Sequence, residues 1–217
     1  MKKFNIGWGL TNLCNMNCKF CYSKETREKS KDISMVDWKK FVDENHEQID
    51  SINYGTGENA ISDDFFHFIE YVRENYPSIT QSVTTNGYIS KRMLENPKFM
   101  DIFMKSMDEV DISLDFVNKD RHCDFRGQPK AYDWAIQTLE LLQNTNKKVT
   151  IVFVGFEDTM KKENIDGLFE IAKKYNALLR LNIYRPVSEK EEINKRFMLC
   201  CVTFRYLIVF HNCLASL

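Results

Sequence analysis

Apolar positions along the chain follow two alternating rhythms. Short runs at residues 4–11 (FNIGWGLT), 51–54, 81–85, 110–114, 149–154 and 178–184 have the length and composition of strands. Between them the apolar residues take helical spacing. Trp38, Phe41, Val42 and Ile49 predict a helix over about 35–49, and Phe65, Phe66, Phe68, Ile69 and Val72 give the face of a second. Met93, Phe99, Ile102, Phe103 and Met107 mark a third, with Pro97 breaking it near its start. Trp134, Ile136, Leu139, Leu141 and Leu142 mark a fourth, and Ile165, Leu168, Phe169 and Ala172 a fifth. Six strands alternating with five helices, at roughly 30-residue intervals, is the βαβ rhythm of an α/β fold. Six units are too few for a closed eight-stranded barrel. The expected architecture is therefore a partial (β/α)6 TIM-like barrel with mainly parallel strands. Its functional loops should follow the C-terminal strand ends. The cysteine loop after the first strand, Gly55-Thr56-Gly57-Glu58 after the second and Thr84-Thr85-Asn86-Gly87 after the third all fall there.

The rhythm stops after about residue 186, with no flexible linker before it and no internal repeat. We divide the chain into a core domain, residues 1–192, and an apolar, cysteine-containing tail, residues 193–217, read as a truncated or altered end. Phe197–Leu217 carries one charged residue, Arg205, and is long enough to span a bilayer, but Thr203, Arg205, His211 and Asn212 interrupt it. The 217 residues are 43% apolar and 28% charged, which suits one substantial domain and excludes a membrane-buried body. Lys+Arg number 30 against 31 Asp+Glu, so no basic nucleic-acid footprint is present. Neither nucleic acid nor membrane is an expected partner. Met1-Lys2-Lys3 runs straight into Phe4 without the apolar core of a signal peptide, so the cytoplasm is the expected location. The charged run Lys24–Lys31 reads most simply as a solvated loop face.

Seven cysteines do not form a disulfide framework: Cys14, Cys18 and Cys21 lie within eight residues, Cys123 is alone, and Cys200, Cys201 and Cys213 lie in the tail. A tight cluster in such a chain points to metal or redox chemistry. Three thiolates on one loop can hold one face of a compact cluster and leave one iron open, the mark of a catalytic site. The alternative is a zinc site completed by a distant Cys or His, such as Cys123 or His122.

With Phe20 before the third cysteine and Tyr22 after it, Cys14-x3-Cys18-x2-Cys21 resembles the signature of the radical S-adenosylmethionine (SAM) superfamily. Gly55-Thr56-Gly57-Glu58 resembles that family's Gly-Gly-Glu motif, with Thr56 in place of a glycine and Asn59 in place of a frequent proline. Thr84–Gly87 resembles its TNG turn. Ile112-Ser113-Leu114-Asp115, followed by His122 and Arg126-Gly127, resembles the fourth-strand region of members that modify peptides and proteins, the SPASM-type branch. The match runs in order over about residues 4–186.

This resemblance implies a [4Fe–4S] cluster on Cys14, Cys18 and Cys21, with SAM bound at the open iron. Reductive cleavage of SAM would yield a 5′-deoxyadenosyl radical that abstracts a substrate hydrogen. It also implies an electron donor such as flavodoxin or ferredoxin, and a peptide or protein substrate. Phe20 and Tyr22 would shield the cluster. The backbone of Gly55, Thr56 and Gly57, with the Glu58 carboxylate, would receive the SAM ammonium. Thr85 and Asn86 would line the site. Ser113 and Asp115, two apart on a strand, would both face the barrel mouth and take the ribose or methionine end. Asn182 and Arg185 would contact adenosine or a substrate carboxylate, and His122 and Arg126 would belong to the SAM or substrate environment. Cys200, Cys201 and Cys213 do not reproduce the spacing of the auxiliary-cluster domain found in that branch. Two other readings stand beside this one: a radical SAM enzyme for a small metabolite, cofactor precursor or RNA, and a non-catalytic zinc- or cluster-binding module.

Overall fold

A computed structural model describes residues 3–18 and 20–184. The tail, its cysteines and Arg185 lie outside them. Six strands form a single sheet: β1 (Phe4–Trp8), β2 (Ile49–Tyr54), β3 (Thr80–Thr85), β4 (Glu109–Ser113), β5 (Lys148–Gly155) and β6 (Leu178–Ile183). They lie side by side in sequence order, and every neighbouring pair is parallel. Crossovers of one hand between sequential parallel strands stack the helices on one face. The sheet therefore curls as a half-barrel around a face that no described helix covers, and the expected architecture is the observed one.

Alternation sorts the strand residues between the two faces. Ile52, Tyr54, Val83, Val110, Ile112, Ile151 and Phe153 are buried in the core under the helices. Their neighbours Asn53, Thr84, Ser113, Val152, Val154 and Asn182 line the opposite, concave side. That concave side is cross-linked by polar pairs: Ser51 Oγ donates to Asn5 Oδ1 at 2.9 Å, Asn53 Nδ2 to Ser82 Oγ at 2.8 Å, and Arg180 pairs with Asp111. A closed barrel fills its interior with branched apolar side chains, whereas this face is built to meet water or a ligand.

The described residues contain eight α-helices: α1 (Lys24–Lys29), α2 (Met35–Asn45), α3 (Asp63–Asn75), α4 (Tyr88–Glu95), α5 (Pro97–Ser106), α6 (Lys119–Arg126), α7 (Ala131–Leu142) and α8 (Lys162–Lys174). The apolar face read for α3 is the buried one, and Ser62 caps it by accepting from Asp64 N–H. Phe66 of α3 stacks on Phe99 of α5 with centroids 4.2 Å apart. The helix expected over 35–49 ends earlier: α2 is followed by a tight turn at residues 46–48, and Ile49, fully buried, opens β2. The third expected helix is two. Asn96 accepts from Lys98 N–H at 3.1 Å and starts α5 afresh with Pro97 in its first turn. The charged run at 24–31 is not a plain loop face, because α1 lies within it. Gln81, buried in the core, is satisfied on both sides: Tyr54 Oη donates to its Oε1 at 2.7 Å, and its Nε2 donates to the carbonyls of Ile69 and Ser106. No helix among the described residues is long and apolar enough to cross a membrane.

Candidate active site

Because all six strands run the same way, their C-terminal loops gather at one edge of the sheet. There they enclose a cavity of about 680 Å³. Cys14, Cys18 and Cys21 line it together with Phe20, Tyr22, Gly55, Thr56, Gly57, Thr85, Asn86, Ser113 and Asn182. Among the residues expected from the sequence, Glu58 and Asp115 stand one layer behind the wall, at 1% and 0% exposure.

The cysteine loop is held by its neighbours. Leu10 N–H donates to Asn59 Oδ1 at 2.7 Å, and Glu58 N–H donates to the Leu13 carbonyl at 2.9 Å. Asn59, a departure from the family's usual proline, thus anchors the loop through its side chain. Asp32, which sequence reading passed over, accepts from Thr11 Oγ1 at 2.9 Å and Asn12 N–H at 2.6 Å. Gly57 has φ +68°, and a β-carbon there would sit 2.5 Å from the Leu13 carbonyl oxygen. Its glycine lets the cysteine loop pass against it, a different need from access for a ligand.

Glu58 turns toward the TNG turn. Its carboxylate accepts from Thr85 Oγ1 at 2.8 Å and from Asn86 N–H at 2.7 Å. Burial pushes this carboxyl up to about 7, against the lowering effect of those bonds. Asn86 Nδ2 in turn donates to Asn15 Oδ1 at 2.8 Å, tying the turn to the cysteine loop. Gly87, with φ +94°, allows α7 to approach, since a β-carbon would meet Ala135 N at 2.5 Å.

Asp115 misses the mouth because β4 ends at Ser113, so strand alternation no longer applies two residues on. Its Oδ2 accepts from Arg126 Nε at 2.6 Å and its Oδ1 from Val154 N–H at 2.9 Å. Asp115 N–H donates to His122 Nδ1 at 3.1 Å, which leaves the ring proton on Nε2. Burial lowers His122 to about 4, so it is a neutral structural group. Arg126, by contrast, reaches the cavity wall, 5.1 Å from the Phe20 ring centroid. Phe20 stacks on Phe125 at 4.3 Å and meets Phe156 edge-on, giving the loop a dry flank. Tyr22 is 63% exposed and sits at the rim.

Burial pushes the Cys14 and Cys18 thiols up. Burial acts the same way on Cys21, but hydrogen bonds from Ser23 and Arg27 outweigh it and hold that thiol below its ordinary value. Arg27, hidden in the charged run, is the clearest residue the sequence did not disclose. The signal was its position four after Ser23, on the same side of α1.

Among the described residues, no three His, Cys, Asp or Glu side chains converge on one ion. Cys123 donates to the Pro129 carbonyl at 3.1 Å in a separate cleft, and His122 is engaged with Asp115. Among the described residues, neither Cys123 nor His122 completes a zinc site with the three cysteines. Three thiols lining one wall without converging fit a multi-iron cluster, where each sulfur binds a different iron.

The sequence profile of the radical SAM superfamily matches residues 8–182. The chain belongs to this superfamily. Radical SAM proteins carry a [4Fe–4S] cluster and bind SAM. The chain is 29% identical over 196 residues to the mycofactocin maturase MftC of Mycolicibacterium smegmatis, covering 87% of this chain and 46% of that protein. It is 26% identical over 152 residues to the subtilosin biosynthesis protein AlbA of Bacillus subtilis, covering 70% and 33%. The structure of Streptococcus suis SuiB bound to its precursor peptide SuiA superposes with a TM-score of 0.71 at 17% identity, covering 94% of this chain and 47% of SuiB. The chain thus spans less than half the length of these relatives.

Proposed function

We propose that this half-barrel is the core of a radical SAM enzyme acting on a peptide or protein. The observation that carries the reading is the meeting of three cysteines, the GTGE loop and the TNG turn on one cavity. Cys14, Cys18 and Cys21 would hold the [4Fe–4S] cluster. When bound, the cluster and SAM would supply the radical chemistry by which hydrogen is removed from the substrate. The chain's own residues orient and shelter that chemistry. Backbone groups of Gly55, Thr56 and Gly57 offer acceptors for the SAM ammonium, and Arg126, at the wall and paired through Nε with Asp115, offers its remaining N–H donors to the SAM carboxylate. Ser113 and Asn182 present polar groups to the ribose and adenine, and Asn86 and Thr85 fix the floor between them. Glu58 and Asp115 act as positioning residues: one locks the TNG turn, the other aims Arg126. The polar concave face, open toward the same edge, takes the substrate. The peptide class is supported by MftC, a maturase, by AlbA, and by SuiB with its bound precursor peptide.

The test is anaerobic reconstitution of the full chain, followed by assay of iron, sulfide and 5′-deoxyadenosine. The reading expects about four irons per chain and reductive cleavage of SAM. A colourless protein holding stoichiometric zinc would overturn it.

A further inference from the structure

Six arginines lie among the described residues, and five of them pair with an aspartate: Arg73 with Asp108, Arg92 with Asp63, Arg121 with Asp158, Arg126 with Asp115 and Arg180 with Asp111. Arg27 has no ion pair among the described residues. Its guanidinium is nonetheless fixed in place. Nη1 donates to the Asn12 carbonyl at 2.7 Å and Nε to Ser23 Oγ at 3.2 Å, while Nη2 lies 3.8 Å from Cys21 Sγ. These contacts grip both ends of the cysteine loop, and Arg27 is half-buried on the cavity wall. A cation held this way, without a carboxylate, is poised for an anion at that sulfur. Arg126 also lies beside a cluster sulfur, that of Cys18, but it is the contrasting case, since Asp115 offsets its charge.

We propose that Arg27 is the counter-charge of the cluster, raising its reduction potential through the Cys21 sulfur. The proposal rests on ligation by Cys14, Cys18 and Cys21. Reduction brings one electron, and one further negative charge, from an external one-electron reductant to a group already bearing three thiolates. No bond or proton changes at Arg27. A nearby fixed cation favours the more negative state, and hydrogen bonds to cluster sulfurs act in the same direction. Arg27 is therefore a positioning and tuning residue, which sets how readily the reduced state is reached.

The experiment is a redox titration of the reconstituted full chain, followed by electron paramagnetic resonance, without SAM. Arg27→Gln should keep its iron and sulfide yet shift the reduction equilibrium about tenfold toward the oxidised state, which is about 59 mV lower for one electron. Arg27→Lys, which keeps the charge, should stay near the parent. Arg27→Met, which removes the charge but keeps a long side chain and leaves Ser23 on Cys21, should lower the potential as Arg27→Gln does, and it decides the matter if Arg27→Gln fails to load iron. Arg121→Gln, remote and paired with Asp158, should not move it. Equal potentials in the parent, Arg27→Gln and Arg27→Met would overturn the proposal. A parent chain that binds no cluster would instead overturn the ligation on which it rests.

Discussion

Glu58 shows how a single buried carboxyl joins two loops and leaves a mark on stability. Its folded value, about 7, lies above the ordinary 4.5. The folded chain therefore holds the proton more tightly than the unfolded one. Stability linked to that proton is fully present below about pH 4.5 and is lost as pH rises through about 7. Glu58→Gln keeps an acceptor for Asn86 N–H and can donate to Thr85, mimicking the protonated form. Between about pH 5 and about pH 8 the parent should lose on the order of 3 kcal/mol more than this variant in denaturant melts; identical pH profiles would contradict this. Asp115→Ala leaves Arg126 buried without its partner and should cost about 3–5 kcal/mol, read as a fall in the denaturation midpoint. The motif drew attention to both acids, but not to where they point. A charged motif residue was expected to face the ligand, while each carboxylate here serves protein donors. Arg27 was lost for the opposite reason: a charged run has the same composition whether it is solvated or holds a loop.

At the scale of elements, the strands and the large helices were legible because apolar side chains must face the core at period two or 3.6. Helices α1 and α6 gave no such signal. The first buries no residue, and the second buries His122 and Arg126, one turn apart and polar. The division between α4 and α5 followed from Pro97, whose position suits a helix start better than a helix interior. Loop geometry changes what the two motif glycines predict. Gly57→Ala should disturb the cysteine loop itself, so iron content should fall along with SAM binding. Retention of a full cluster with weakened SAM binding would show that Gly57 serves only ligand access. Gly87→Ala combines a left-handed backbone with overlap against α7, and should destabilise the fold by about 2–4 kcal/mol in thermal or denaturant unfolding.

Across the described residues, the sheet has one apolar, helix-covered face and one polar face without a helix over it, and the cavity lies where that polar face meets the loops. The half-barrel was predictable from six units. The concave face was not, since residues such as Ser51, Ser82 and Asp111 look like ordinary strand-edge polar positions until the strands are paired. Cys14, Cys18, Cys21, the GTGE loop and the TNG turn all precede residue 185, so a chain ending near residue 192 should still load the cluster; loss of loading on truncation would make the tail part of the core. If this cavity holds a cluster with an iron open to SAM, electron paramagnetic resonance of the reconstituted, dithionite-reduced chain, recorded with and without SAM, should show it. The reduced-cluster signal should change shape when SAM is added, and should be absent when Cys14, Cys18 or Cys21 is replaced by Ala. A signal indifferent to SAM, or one that survives any of those replacements, would contradict that assignment.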